Sequence, residues 1–241
     1  MKIYRKRSGS FLACVCVFGV LTLLWCSCAK TPIEINTSPP ATSIKFIQAS
    51  PDEPPVDLLL NSVRFGSSSF TYGQNSGYVN INTGIDAASF NNDINGKAIL
   101  ADTLNFKASA IYSLFLANKP SQPEVVLLTD TLNPPAAGNS SIRFINLSPD
   151  APAVDLVIKG GAVLVANRSY KGYSSFAPIQ GGVYTLEVHQ AGKATVLANT
   201  YAFKLQTGSI YTVWFHGLVA NTSTADQLAV DVIDNGSFSY L

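Results

Sequence analysis

The sequence predicts an all-β protein, two tandem antiparallel β-sandwich domains of immunoglobulin- or transthyretin-like type, behind a lipoprotein signal peptide. Three observations carry this prediction. The line SIKFIQASPDEPPVDLLL at 43–60 returns as SIRFINLSPDAPAVDLVI at 141–158, identical at eleven of eighteen positions, which marks an internal duplication. Short apolar runs alternate with polar residues at a period of two and are separated by Gly, Pro, Asn and Ser turns. No apolar stripe of helical period follows residue 27.

The amino-terminal segment reads as an export address. Lys2, Arg5, Lys6 and Arg7 precede an apolar run from Phe11 to Trp25, and small and polar residues surround Ser27. Fifteen apolar residues fall short of the ~20 that span a bilayer. All four cysteines, Cys14, Cys16, Cys26 and Cys28, lie in or at the edge of this segment, so no disulfide is expected in the exported body. The stretch LLWCSCAK at 23–30 resembles a bacterial lipobox, with Ser27 as its small residue and Cys28 as the lipidated one. Trp25 and Cys26 depart from the usual residues at the two preceding places. Residues 1–27 are therefore the expected signal, and 28–42, with three prolines, the lipidated cysteine and a flexible tether.

A first sandwich is expected over 43–132, a linker reading NPPAAGNS over 133–140, and a second sandwich over 141–241. In the second copy Ile142, Phe144 and Ile145 open a strand, and Val154, Leu156 and Ile158 form one face of the next. Gly160 and Gly161 turn the chain into 162–166. Alternation over 183–189, the turn Ala191–Gly192–Lys193, a run over 195–205, another over 209–215 and a last strand over 228–233 complete the copy. The first copy follows the same order. LADTLNFK at 100–107 aligns with LANTYAFK at 197–204, and Gly77–Tyr78 with Gly172–Tyr173. The offsets of 98, 97 and 95 residues then imply loops of changed length, where function tends to sit.

The whole chain has a formal charge of +1, but removal of 1–27 leaves twelve basic against fifteen acidic residues and no basic run. Nucleic acid is thereby excluded as a partner, since phosphate neutralisation needs clustered Lys and Arg. The expected attachment is to membrane, through the lipid.

The repeated motif SPD-x-P-x-VDL contains Ser50, Pro51, Asp52 and Asp57 in one copy and Ser148, Pro149, Asp150 and Asp155 in the other. It reads as a strand corner: the prolines fix φ, while Ser148 and Asp150 are expected to accept bonds from nearby backbone amides. Val154 and Leu156 then enter the core, and Asp155 points the other way, to solvent or to a loop amide. Two carboxylates per copy are too few for calcium, which takes six to eight oxygens, so no metal or cofactor is assigned.

With the Gly–Tyr pair and the closing IYTVWF strand, this motif resembles the exported bacterial family described as domain of unknown function 4397. The resemblance covers both copies. It implies β-sandwich modules of cell-surface and secreted proteins, often lipoproteins, with no established activity.

His189 and His216 are the only histidines, and no nucleophile elbow, zinc motif or phosphate loop is present. The protein is therefore expected not to be an enzyme. Trp214 reads as core. Tyr170, Tyr173 and Phe176 around Gly172, with Tyr72 and Tyr78 in the matching region, are the candidate binding residues, because aromatic rings at a sandwich edge stack on sugars or anchor proteins. The competing reading makes them core plugs with hydroxyls at the rim. Asp102–Thr103–Leu104 and Asp130–Thr131–Leu132 resemble an O-glycosylation acceptor. The expected function is a lipid-anchored outer-membrane protein, facing either side, that binds a glycan or an envelope protein. Alternatives are a spacer or assembly subunit without a ligand and, third, a carbohydrate hydrolase.

Overall fold

Four strands near the middle of the molecule are buried on both faces, and they organise everything else. The computed structural model describes residues 41–220 and 226–239. The expected signal peptide, the lipid site Cys28 and nearly all of the tether lie outside the described residues.

The first half contains β1 (Thr42–Gln48), β2 (Val56–Leu60), β3 (Val63–Arg64), β4 (Asn75–Ile81), β5 (Gly84–Asn92), β6 (Ala98–Phe106), β7 (Ile111–Ala117) and β8 (Glu124–Thr129). The second contains β9 (Asn139–Asn146), β10 (Val154–Ile158), β11 (Val163–Arg168), β12 (Ala177–Gln180), β13 (Gly182–Tyr184), β14 (Leu186–Gln190), β15 (Val196–Asn199), β16 (Phe203–Leu205), β17 (Ser209–His216) and β18 (Ala229–Ser237). Every regular element among the described residues is a strand, so the chain is all-β. One sheet of the first half runs β4-β1-β7-β8 and faces β3-β2-β5-β6. In the second half β12-β9-β17-β18 faces β11-β10-β14-β15, with the short pair β13-β16 beside them. Pairing is antiparallel except for β1 with β7 and β9 with β17, which run parallel. The two parallel partners are the repeat's opening strand and its late IY strand, and the length of chain between them supplies the crossover that parallel strands need.

Each half has its own apolar core. Ile44, Phe46, Leu58, Phe90, Phe106 and Leu114 anchor the first, and Phe144, Leu156, Val188, Val213 and Phe215 the second. A third cluster, Ile47, Ala49, Phe115, Ala117, Val126, Leu128, Ile145, Leu147, Trp214 and Ile233, draws on both halves. The alternation explains it: Tyr112, Leu114 and Leu116 of β7 point into the first core, while Phe115 and Ala117 point to the second half. Strands buried on both sides read as near-continuous apolar runs, as IYSLFLA and IYTVWF do. Trp214 is buried as its composition suggests, but in the shared cluster rather than in its own sandwich. Residues Ser38–Leu241 accordingly form one compact unit.

The backbone corrects two alignments made on sequence alone. Phe46 N donates to Ser76 Oγ at 2.9 Å, and Phe144 N to Ser174 Oγ at 3.0 Å. Gln48 N donates to Gln74 O, and Asn146 N to Gly172 O, both at 3.0 Å. The true offset here is 98 residues, so Tyr72 corresponds to Tyr170 and Tyr78 to Phe176, and this loop has not changed length. The Gly77–Tyr78 and Gly172–Tyr173 match was a coincidence of composition. In the second correction, Ser89 pairs with Ala101 and Glu187 with Asn199, so LADT and LANT are displaced by one position in space.

The SPD corners also bond differently from expectation. The hydroxyls of Ser50 and Ser148 donate, to Asn118 O at 2.6 Å and Gly217 O at 2.7 Å, and do not accept from amides. Both residues are fully buried, and each hydroxyl ties the corner to the end of the central strand β7 or β17. The amides of the two serines are met by Gln48 Oε1 and Asn146 Oδ1.

Candidate functional site

The face shared by the two halves carries a buried polar network built from equivalent positions of the repeat. Lys45 and Arg143 occupy the same place in the SIKF and SIRF lines, and both are nearly fully buried. Arg143 forms an ion pair with Asp130 of the other half at 2.6 Å. Its Nε donates to Thr212 Oγ1 at 2.9 Å and its other nitrogen to Ser113 Oγ at 2.8 Å. Ser113 donates to Asp130 Oδ2 at 2.7 Å, and the Tyr78 hydroxyl donates to the same oxygen. Asn235, the counterpart of Asp130, accepts from Thr212 and donates to Tyr78 OH, each at 2.7 Å. Lys45 donates to the Asp234 carbonyl and lies 4.3 Å from the centre of the Tyr78 ring; Arg143 lies 4.6 Å from that of Phe176. Burial lowers the Lys45 pKa, against the nearby Asp234 and Asp130 carboxylates.

Two further bonds cross the same face with the same quasi-symmetry. Tyr72 of the first half meets His216 Nδ1 at 2.6 Å, and Tyr170 of the second donates to Glu124 Oε1 at 2.7 Å. The His216 ring stacks on Trp214 at 3.7 Å, and its Nε2 lies 3.0 Å from Asp231. Burial pushes the hydroxyl pKa values of Tyr72, Tyr78 and Tyr170 up, with nearby carboxylates adding to it.

Of the five aromatic candidates, Tyr72, Tyr78 and Tyr170 are thus placed in the seam between halves, and Phe176 covers Arg143. Tyr173 is placed differently. It is 53% exposed and stands at a cleft of about 540 Å³ that is bounded on the other side by Asn133, Pro134 and Pro135 of the NPPAAGNS segment. Ser174, Ser175 and Phe176 continue the wall, and the exposed Thr129 and Thr131 also line it. Hydroxyls and an amide around an exposed ring can hydrogen-bond the polyol edge of a sugar and stack on its apolar face. The sequence pointed to Tyr173, but not to residues 133–135, which read as a linker. The doubled proline that holds them against the second half is the signal that was available.

The motif aspartates are all engaged within the protein. Asp57 pairs with Arg64 at 2.6 Å, and Asp155 accepts from the amides of Asn167 and Gly192 at 2.7 and 2.9 Å. Asp150 accepts from Val219 N at 2.9 Å and pairs with Lys119 at 3.2 Å, and Asp52 N donates to Asp226 at 3.1 Å. The two histidines are bonded to Glu187 and to Tyr72 and Asp231. The Asp130–Thr131–Leu132 acceptor motif has its aspartate buried under Arg143, so only Thr131 is presented at the surface.

No curated protein matches the chain. Among solved structures, the Bacillus anthracis TIE protein is similar at 12% identity and a TM-score of 0.24; the alignment covers 81% of this chain and 44% of that one. A family 26 carbohydrate-binding module of Eubacterium rectale Amy13K, in complex with maltoheptaose, is similar at 12% identity and a TM-score of 0.26, over 81% of this chain and 97% of the other. Family 41 carbohydrate-binding modules from streptococcal virulence factors give 10% identity and a TM-score of 0.27, over 78% and 96%. The match that reaches the chain's own sequence is to a family, the Domain of unknown function (DUF4397), whose model covers residues 42–157, through the first half and into the SPDAPAVDLV line of the second.

Proposed function

We propose that the protein is a non-enzymatic, lipid-anchored binding protein of the cell envelope, and that the cleft beside Tyr173 takes a glycan. The observation that supports this reading most is the exposed Tyr173 ring at a cleft of about 540 Å³ whose polar lining includes Ser174, Ser175, Thr131, Asn133 and Arg143, the last with its charge met by Asp130. A ring left in water beside hydroxyls and an amide suits an amphipathic, uncharged ligand. The reading of an anchor through Cys28 in the outer membrane rests on the lipobox-like stretch, and that of non-enzymatic action on a sequence without a nucleophile elbow, zinc motif or phosphate loop.

Titration calorimetry of the full chain in detergent, against a panel of envelope and plant polysaccharides, tests the reading. Binding of at least one polysaccharide that is lost in Tyr173→Ala, with the fold intact by circular dichroism, is expected; no binding across the panel overturns it. Loss of radiolabelled fatty acid in Cys28→Ala tests the anchor separately. The spacer reading draws on the polar seam that fuses the halves, and it predicts no binding at any site.

A further inference from the structure

Around Tyr78 the seam buries two cations but one carboxylate, and the second cation faces an amide. Arg143 has Asp130 at 2.6 Å. Lys45 and Asn235 hold the equivalent positions of the repeat, 3% and 2% exposed, so the quasi-symmetry that brings Arg143 to Asp130 brings Lys45 to Asn235. The Lys45 amine donates to the Asp234 carbonyl, in the peptide group that leads into Asn235, and among the described residues this is its one hydrogen-bond acceptor. It also lies 4.3 Å from the centre of the Tyr78 ring, whose hydroxyl accepts from Asn235 Nδ2 at 2.7 Å. An ammonium carries three donors, and a buried one without a carboxylate partner is costly. Burial accordingly lowers the Lys45 pKa toward the free amine, the nucleophilic form of lysine.

The Asn235 amide is held as a leaving group would be. The Thr212 hydroxyl donates to its Oδ1 at 2.7 Å, and because Thr212 Oγ1 itself accepts from Arg143 Nε at 2.9 Å, that proton is committed to the amide oxygen. Its Nδ2 bonds the Tyr78 hydroxyl, and Tyr78 donates in turn to Asp130. A donor thus stands at the oxygen where charge would develop, and a hydroxyl backed by a carboxylate stands at the nitrogen that would leave.

We propose that Lys45 and Asn235 join in an isopeptide bond that the folded protein forms by itself. Lys45 Nζ attacks Asn235 Cγ, and Thr212 holds the oxygen of the tetrahedral intermediate. One proton passes from Nζ to Nδ2 through Asp130 and Tyr78; the Cγ–Nδ2 bond breaks, and the nitrogen leaves as ammonia. The product is a neutral amide, so the unpaired cation disappears from the seam, and no cofactor or oxidant is consumed. The bond ties β1, the first strand of the first half, to β18, the last of the second. It closes a loop over residues 45–235 and, like a disulfide of long span, removes entropy from the unfolded chain. It needs no ligand in the Tyr173 cleft, and each is tested without the other.

Tryptic mapping of the full chain, purified in detergent and read by mass spectrometry, is the test. Trypsin does not cleave after an acylated lysine, so the expected product is one branched species, peptide 31–64 joined to peptide 205–241, lighter than their sum by one ammonia. Lys45→Arg, which keeps the charge but not the nucleophile, and Asn235→Ala are each expected to abolish that species with the β spectrum unchanged. In pulse-labelled chain, Thr212→Val is expected to slow its appearance about a hundredfold, the usual effect of removing one oxyanion donor, and Tyr78→Phe to slow it as well. Free peptides 31–45, 46–64 and 205–241 at their sequence masses, with no branched species in the wild type, overturn the proposal whatever the variants do. A branched species that persists in Lys45→Arg or Asn235→Ala overturns it too.

Discussion

Arg143 and Asp130 form a closed ion pair across the two halves, 2.6 Å apart, with side chains 3% and 0% exposed. Two charges withdrawn from water are tolerated because Thr212, Ser113 and Tyr78 satisfy the remaining donors and acceptors. Removing one partner strands the other. Arg143→Met alone is expected to cost about 3–5 kcal/mol, and Arg143→Met with Asp130→Leu to recover most of it. Urea denaturation of both single variants and the double decides: a double variant that loses as much as Arg143→Met and Asp130→Leu summed would mean that the pair is not coupled.

Glu124 links the halves in a pH-dependent way. Burial alone would raise its pKa, but hydrogen bonds from Lys171, Tyr170 and Asn118 prevail and hold it below the usual glutamate value. A carboxylate depressed in the folded state contributes stability that is complete above its unfolded value of about 4.3 and is lost as pH falls through the folded value. The melting temperature of the wild type should therefore fall more steeply than that of Glu124→Gln below about pH 4.3, with the two curves converging in stronger acid. Parallel curves would remove Glu124 from the acid response.

The strands and the repeat are legible in the sequence because both are local: alternation and turn residues write themselves in runs of two to nine. It missed that β1, β7, β9 and β17 bury both faces, although a charged residue inside SIKF and SIRF was the visible sign. A lone Lys or Arg in an apolar strand has no partner within its own strand or turn: Lys45 bonds Asp234, 189 residues away, and Arg143 pairs with Asp130, 13 residues before it but in the other half. The seam tyrosines looked like binding residues for the same reason, since their hydroxyl partners, His216, Asp130 and Glu124, are remote in sequence. The one-position displacement of the two outer strands was hidden by the LADTLNFK and LANTYAFK match, which aligns letters that the sheet places apart.

Ser50 and Ser148 hold equivalent corners, and each hydroxyl is the donor to a buried strand-end carbonyl. Ser50→Ala and Ser148→Ala are each expected to cost about 1–3 kcal/mol, the penalty of leaving such an acceptor unmet. They share no partner, so the double variant should lose about the sum, to within roughly 0.5 kcal/mol. A strongly sub-additive result in urea denaturation would show that the two corners unfold together through the seam.

Gly217 ends the strand that runs through the seam, and its backbone leaves no room for a side chain. Its φ is +88°, a conformation that L residues rarely adopt, and a Cβ there would meet Gln227 O at 2.1 Å and Gln227 C at 2.6 Å. Both obstacles are backbone, so no rotamer change relieves them. The same glycine carbonyl accepts the Ser148 hydroxyl, and the next residue, Leu218, donates its amide to Asp226 O at 2.8 Å. Gly217→Ala must therefore displace the 226–227 strand approach, and with it Asp226, which accepts from Asp52 N of the other half. The expected loss exceeds the ~1 kcal/mol of an ordinary strained glycine site. Gly192→Ala serves as the control, because its φ is +68° but nothing lies within 4 Å of the added carbon. Melting temperatures should rank wild type above Gly192→Ala and Gly192→Ala well above Gly217→Ala; equal losses would mean that the backbone contact at Gln227 yields freely and that only the left-handed φ is being measured.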